Sequence, residues 1–188
     1  MSTYVDRFPA EARVVRSLFT TSFVALAIGA LFGLIQALHR TNYLRVIDSA
    51  DYCTLLTAHG VLLAIVFTIA FLLGLFTWAT TRSLDRPLVD IRLTWAWVGL
   101  VTTGTTFASV AILAGLVPAL GISADVLFTF YAPLQAHPLF YAGLAMFIVG
   151  TWMAGVDWFL AYRAWRREHP GERIPLQTFM VLTTMIMW

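Results

Sequence analysis

The chain has 188 residues, of which 60% are hydrophobic and 12% are charged, and its formal net charge is +2. A soluble domain averages about 45–50% apolar and about 25% charged residues, so the composition excludes an ordinary soluble protein and predicts an integral membrane protein. The sequence pI is about 9.0, but no basic run is interleaved with aromatic residues. A nucleic-acid partner is therefore not expected, and the chain should contact membrane lipid instead.

Five apolar segments follow one another along the chain. A helix needs ~20 mostly apolar residues to cross the hydrocarbon core, and open strands cannot cross it because their backbone groups would stay unpaired. Full spans are predicted at 18–38, 55–78, 93–116 and 138–160. A fifth run, 176–188, reaches the last residue and is predicted as a truncated span, with a short helix ending at the far interface as the alternative. The fold class is therefore an all-α transmembrane helix bundle, and residues 1–188 are interpreted as the N-terminal part of a longer polypeptide.

The positions of the arginines predict the orientation. Only two, Arg40 and Arg45, lie in the first loop, and none lies in the third. The other ten lie before the first span, in the second loop or in the fourth loop, and the positive-inside rule places that side in the cytoplasm. The N-terminus is therefore predicted to be cytoplasmic. The third loop, 118–137, is apolar and aromatic, so we expect it to pack against protein at the outer surface.

A histidine interrupts the second span. At 1.5 Å per residue, His59 should lie roughly 6–8 Å below the outer interface. An ionisable residue at that depth is a functional-site hypothesis by default, and imidazole is a common axial ligand of haem iron. The neighbouring Gly60 keeps the helix surface thin enough for a flat macrocycle to approach. From the span alone, a histidine that only hydrogen-bonds to a neighbouring helix is an equally good interpretation.

The first span carries a stripe of small residues. Ala25, Gly29, Gly33 and Ala37 recur every four residues, a spacing typical of close contact between membrane helices. Gln36 follows Gly33 by three residues, so its amide should face roughly the same groove. On its own, such a stripe indicates plain helix packing more often than a ligand site.

Three stretches in chain order are more specific. They are ALAIGALFGLIQAL at 25–38, LLTAHGVLLAIVF at 55–67 and FTFYAPLQAHPLFY at 128–141. With these motifs the chain resembles subunit I, the large catalytic subunit, of the haem–copper oxidases of cytochrome c oxidase type, and most closely their B branch. The similarity extends through the HPG turn at 169–171 and the PLxTxM segment at 175–180. It therefore covers nearly the whole chain.

The resemblance implies roles for individual residues. The histidine of the TAHG motif, His59, is implied to be an axial ligand of a low-spin b-type haem. Gln36 occupies the position at which the A branch usually has an arginine beside that haem, and glutamine fits the B branch. Gly33 and Gly60 are expected to line the same haem-binding groove. No catalytic residue is assigned to this chain.

The third motif resembles a segment near the binuclear centre and the copper-carrying subunit. Phe128 replaces its first aromatic residue, a tyrosine or tryptophan, and Ala132 replaces its first proline. A hydrogen bond from a phenol or indole at position 128 is therefore unavailable. Tyr131 keeps its hydroxyl group.

The function implied by the resemblance is that of a respiratory terminal oxidase in the plasma membrane of a prokaryote. Electrons from a cytochrome c-like donor would pass through a copper-carrying subunit II and reduce oxygen to water, coupled to proton pumping. The high-spin haem, the copper ion and their ligands are expected in the remainder of subunit I. Because these centres need more histidines than the four in this chain, the 188-residue chain alone is predicted to be inactive. The alternatives are a nitric oxide reductase of the same superfamily, or a non-redox transporter or structural protein with His59 as a packing residue.

Three further polar features carry weaker expectations. His137 precedes Pro138 at the outer end of the fourth span and is expected to pack at the interface. Asp157 lies near the inner end of that span and is expected to be solvated there, with a role in proton entry as the alternative. The threonines at 102–106 are expected to bond to carbonyls of their own helix.

Overall fold

The computed structural model describes residues 3–43, 47–126 and 134–188, which are almost wholly helical. The α-helices are α1 (Tyr4–Arg7), α2 (Pro9–Arg40), α3 (Ser49–Gly60), α4 (Thr68–Leu84), α5 (Ile91–Leu113), α6 (Pro138–Glu168) and α7 (Leu176–Met187). A π-helix, Val61–Phe67, continues α3 into α4, and two 3-10 turns follow α5 at Ala114–Leu116 and Pro118–Leu120. The predicted all-α fold is confirmed.

Four helical segments are long and apolar enough to cross a membrane. They are Pro9–Arg40, Ser49–Leu84, Ile91–Leu116 and Pro138–Glu168, and each contains one predicted span. The fifth, α7, is a shorter apolar helix, as the sequence predicts. The helices extend beyond the predicted spans because backbone hydrogen bonding continues into the polar, arginine-bearing ends, where hydropathy no longer marks the helix.

Local sequence explains several helix ends. Pro9 and Pro138 are the first residues of α2 and α6, a position where the missing N–H costs nothing. The side chain of Asp48 accepts a hydrogen bond from the backbone N–H of Asp51 at 2.8 Å and caps α3. After α6, Gly171 takes a positive φ of 87°, a conformation that glycine adopts without steric strain and that turns the chain out of the helix.

The chain divides into two compact units. Unit 1 comprises Met1–Thr20, Ala70–Val101 and Ile148–Trp188. Its interior contains Trp97 and Trp158, both 0% exposed, with ring centroids 6.3 Å apart in an edge-on arrangement. Phe76 meets the Trp158 ring edge-on at 5.7 Å. Aromatic side chains from α4, α5 and α6 therefore form the centre of this unit.

Unit 2 comprises Thr21–Ile69 and Thr102–Phe147. Its core is built largely from small and β-branched residues, including Ala58, Val61 and Ala108. A Cβ placed on Gly104 would lie 2.5 Å from the carbonyl oxygen of Gly143, so the backbones of α5 and α6 touch there. Such close approach is available only to glycine and is common between membrane helices.

In the described part of the third loop, most residues are exposed and two are buried, so the expected packing of this loop against protein stays a prediction. Ala124 and Val126 are each 2% exposed and belong to the core of unit 2. An antiparallel bridge pairs Ala124 with Ala136. The positions singled out in the third motif, Phe128, Tyr131 and Ala132, lie outside the described residues.

The short helix α1 is not anticipated by hydropathy, although its start carries a capping signal. The hydroxyl of Thr3 accepts from the N–H of Asp6, and the Asp6 carboxylate accepts from the N–H of Thr3, which forms a capping box. The phenol of Tyr4 then lies 2.9 Å from the hydroxyl of Thr81 in α4. This contact attaches α1 to the rest of unit 1.

Candidate functional site

His59 is the penultimate residue of α3, and its ring is partly buried. Its Nδ1 atom lies 2.7 Å from the backbone carbonyl oxygen of Gly29 in α2. A carbonyl oxygen can only accept a hydrogen bond, so Nδ1 carries the proton and donates it. In the neutral imidazole, Nε2 then keeps a free lone pair. Histidines that bind metals are commonly held in this way, with the second ring nitrogen bonded to a carbonyl or carboxylate.

Gly33 provides the space for the His59 ring. A Cβ placed on Gly33 would lie 2.6 Å from Cε1 of His59 and 2.9 Å from its Nδ1, distances that real Cβ atoms do not reach. The small-residue stripe of α2 therefore makes room for an imidazole at this position. The haem contact expected for Gly33 stays a prediction.

Gln36 joins the same two helices one turn further along α2. Its side chain is 6% exposed, and Nε2 donates to the carbonyl oxygen of Leu55 at 3.1 Å and to that of Phe32 at 3.2 Å. Both hydrogens of the amide nitrogen are used in these bonds. Gln36 therefore holds the α3 segment that carries His59 against α2. Its contact with haem stays a prediction.

Gly60 ends α3, and the chain enters the π-helix directly after it. Gly60 has a helical φ of −65°, so backbone strain does not explain a glycine there. Its expected place in a haem-binding groove stays a prediction.

At the other end of the π-helix, the fully buried hydroxyl of Ser22 donates to the carbonyl oxygen of Phe67 at 3.0 Å. Short π-helical segments are rare and often occur at functional sites. Nothing in the apolar run 61–67 signals this segment, because every residue in it also suits an α-helix.

The other three histidines lie in separate environments. His39 packs against the ring of Tyr52 at 5.6 Å. The Nδ1 atom of His137 accepts from the backbone N–H of Leu139 at 3.2 Å, so its ring caps the start of α6. His169 stacks on Trp165, with ring centroids 4.7 Å apart. Among the described residues no group of three or more His, Cys, Asp or Glu side chains is arranged to hold a metal ion.

The donor set fits one axial position of a low-spin haem. The protein binds the iron of such a haem through only one or two side chains, and histidine is a common one. His59 offers a single imidazole with its Nδ1–H already bonded to a carbonyl and its Nε2 left as a donor atom. The arrangement is therefore suited to bind iron through Nε2.

The expectation that Asp157 is solvated is wrong. Its side chain is 0% exposed, and Oδ2 lies within hydrogen-bond distance of Oγ1 of Thr94 and Nε1 of Trp97 in α5. Position along the helix could not show that Asp157 faces the interior of unit 1. The expected bonding of the threonines at 102–106 to their own helix is seen for Thr106, which donates to the carbonyl of Thr102 at 2.9 Å. It is wrong for Thr105, because Oγ1 of Thr105 is buried without a hydrogen-bond partner.

Comparison with known proteins gives a consistent result. The family profile described as "Cytochrome C and Quinol oxidase polypeptide I" matches residues 13–188. Cytochrome c oxidase subunit 1 of Thermus thermophilus is 32% identical over 203 residues, covering 100% of this chain and 33% of the relative. A cryo-EM structure of a heme-copper terminal oxidase dimer superposes with a TM-score of 0.83 at 28% identity, covering 100% of this chain and 30% of that chain. The chain thus spans about a third of the length of these relatives. These matches favour neither a nitric oxide reductase nor a non-redox membrane protein.

Proposed function

Because the chain belongs to the family of cytochrome c and quinol oxidase polypeptide I, we propose that it carries an axial ligand of the low-spin haem in a respiratory terminal oxidase. The ligand is Nε2 of His59. The observation that carries this proposal is the 2.7 Å hydrogen bond from Nδ1 of His59 to Gly29, which leaves Nε2 as the free donor atom. A histidine that serves only in packing would make the same bond, so the ligand role is supported by the family match together with the Nε2 that this bond leaves free.

The residues around His59 orient the ligand. The hydrogen bond to Gly29 fixes the tautomer and the rotation of the ring. Gly33 leaves the space in which the ring lies. When bound, a b-type haem would supply one-electron transfer. Gln36 holds α3 against α2, and this bond would help to keep the His59 ring in place when haem is bound.

The proposal extends to the assembled enzyme. Its relatives include a protein named cytochrome c oxidase subunit 1, so the remainder of subunit I is the first proposed partner. That part would provide the second axial ligand, the high-spin haem and the copper site. A copper-carrying subunit II would deliver electrons from a cytochrome c-like donor, and oxygen would be reduced to water with proton translocation.

We place the enzyme in the plasma membrane of a prokaryote with the N-terminus of this chain in the cytoplasm. The support for this orientation is the distribution of the twelve basic residues, all arginines, ten of which would then lie on the inner side. Four apolar helices of sufficient length support the multi-pass arrangement.

The ligand assignment is tested by His59→Ala in the complete enzyme. The reduced-minus-oxidised optical spectrum should lose the low-spin haem bands, while high-spin haem remains. The matched control is His39→Ala, because His39 lies at the outer end of α2 with its ring against Tyr52 and should leave the low-spin bands intact. An unchanged low-spin spectrum in a correctly inserted His59→Ala enzyme would contradict the assignment.

A further inference from the structure

Asp157 in α6 is a fully buried carboxyl group, with a side chain that is 0% exposed. Its Oδ2 atom lies 2.7 Å from Oγ1 of Thr94 and 3.0 Å from Nε1 of Trp97. Its Oδ1 atom is buried and has no hydrogen-bond partner. The two ion pairs formed by the described residues both involve other groups. A carboxylate buried in this way without a cation is costly.

The charged groups that act on Asp157 do not compensate a negative charge. They are Asp90, just before α5, and Glu11 in α2, and both are acidic. Glu11 is itself 4% exposed and accepts the backbone N–H of Leu88 at 3.1 Å. On the neighbouring segments of unit 1, Arg86 after α4 pairs with Glu168 at 3.1 Å. Of the other helices in the unit, α1 carries Tyr4, Asp6 and Arg7, and α7 contains no titratable side chain.

The hydroxyl of Thr94 shows where a proton fits. Its Oγ1 lies within hydrogen-bond distance of two oxygen atoms, Oδ2 of Asp157 at 2.7 Å and the backbone carbonyl of Asp90 at 3.2 Å. A hydroxyl has a single hydrogen to donate. If Oδ2 carries a proton and donates it to Thr94, Thr94 can donate to Asp90 and each contact is a full hydrogen bond, whereas an ionised Oδ2 would leave the two acceptors to share one hydrogen.

The same hydroxyl can also accommodate the ionised form. If Asp157 loses its proton, the Thr94 hydroxyl can rotate and donate to Oδ2, while the indole N–H of Trp97 continues to donate to the same atom. Rotation of one hydroxyl therefore exchanges the hydrogen-bond pattern of the acid for that of the carboxylate. No backbone movement is required.

We propose that Asp157 is a proton-binding site. It holds an exchangeable proton on Oδ2, between α5 and α6, as a neutral carboxylic acid. Release converts the acid to a carboxylate and passes one proton to water, and uptake is the reverse, with no electron transferred. Thr80 Oγ1 and Trp158 Nε1 are further buried polar atoms of this unit without protein partners, and such atoms are where internal water binds. The proposal goes beyond the haem function and does not depend on it.

Infrared spectroscopy of the complete enzyme tests this site. The spectrum should contain a carboxylic C=O band that shifts when aspartate is labelled with ¹³C, shifts again in D₂O, and disappears in Asp157→Asn. Thr94→Val should move the frequency of the band because it removes the hydroxyl that accepts the acid proton, and Thr94→Ser should restore it. The matched control is Thr77→Val, because Thr77 is also 0% exposed but bonds only to the carbonyl of Leu73 in its own helix, at 2.8 Å.

Three outcomes would overturn the proposal. One is a labelled enzyme in which no aspartate C=O band responds to Thr94→Val. Another is a band that responds to Thr94→Val but never shifts in D₂O, since the proton would then not exchange. The third is a folded Asp157→Asn enzyme that keeps the band. If Asp157→Asn does not assemble, the Thr94 and Thr77 variants in the labelled enzyme decide the question without it.

Discussion

Nδ1 of His59 donates a hydrogen bond of 2.7 Å to the carbonyl oxygen of Gly29, so a side chain of the second predicted span bonds to the backbone of the first. A carbonyl oxygen has two lone pairs and can accept this bond in addition to one from its own helix. Hydrogen bonds between membrane helices average only about 0.6 kcal/mol, so the contact does little for stability. Its effect is to select the tautomer with a free Nε2, which is what a metal ligand requires.

Gly33→Ala should displace His59 and weaken haem binding. The new Cβ would lie 2.6 Å from Cε1 of the ring, and overpacking of this kind costs about 1–3 kcal/mol. We expect a lower ratio of low-spin haem to protein and a broadened or shifted low-spin band. The matched control is Gly99→Ala, because a Cβ on Gly99 has no atom within 4 Å. Equal haem content and identical spectra in the two variants would rule out the proposed role of Gly33.

Gln36→Leu should lower stability while low-spin haem still binds. The substitution keeps the volume approximately but removes the bonds from Nε2 to Leu55 and Phe32. The expected loss is about 1 kcal/mol, the typical net value of a hydrogen bond, because His59 and its bond to Gly29 remain. Unfolding of the solubilised enzyme measures it. Gln135→Leu, at an exposed position, serves as the control and should change little. Complete loss of low-spin haem in Gln36→Leu would mean that Gln36 does more than hold the helices.

The orientation can be tested by cysteine labelling after the exposed Cys53 is replaced by serine. Ser123 and Glu172 are exposed positions in the third and fourth loops. With the N-terminus in the cytoplasm, Ser123→Cys should react with an impermeant maleimide added to intact cells, and Glu172→Cys only after permeabilisation. Labelling under denaturing conditions shows that both thiols are present. The opposite pattern would reverse the orientation. Ala124 is unsuitable because it is 2% exposed.

Tyr4 should titrate at unusually high pH. Burial raises the pKa of Tyr4, with a further upward effect from Glu11 and an opposing one from its hydrogen bond to Thr81. The pKa of Tyr4 is higher in the folded protein than the usual value of about 10. Below pH 10 the phenol is therefore protonated, and the contact with Thr81 that attaches α1 is complete. It is lost as the pH rises through the folded-state pKa. Ultraviolet titration of the enzyme should therefore lose a late-ionising component in Tyr4→Phe. An identical titration curve would contradict this prediction.

The sequence predicts the number and type of membrane segments because a hydrocarbon core imposes length, composition and internal hydrogen bonding on any segment that crosses it. It also singles out His59 and Gln36, because their motifs are short and continuous, and the structure shows that each bonds across α2 and α3. It does not predict the π-helix at Val61–Phe67. That segment differs from an α-helix only in which backbone groups pair, and the side chains of an apolar run do not distinguish the two.

Helix rotation and pairing depend on the tertiary structure. The sequence does not distinguish the small residues Gly33, Gly104 and Gly143 from one another. In the structure, Gly33 makes room for an imidazole, whereas Gly104 and Gly143 bring two backbones into contact. The position of Asp157 in the sequence predicts a solvated side chain, and only the packing of α5 on α6 shows that it is buried against Thr94 and Trp97. In a span surrounded by lipid, every face can be apolar, so hydropathy reports that a helix crosses the membrane without reporting which face meets protein. The packing of the helices determines which face of each helix meets protein. It also determines whether each buried polar group has a hydrogen-bond partner.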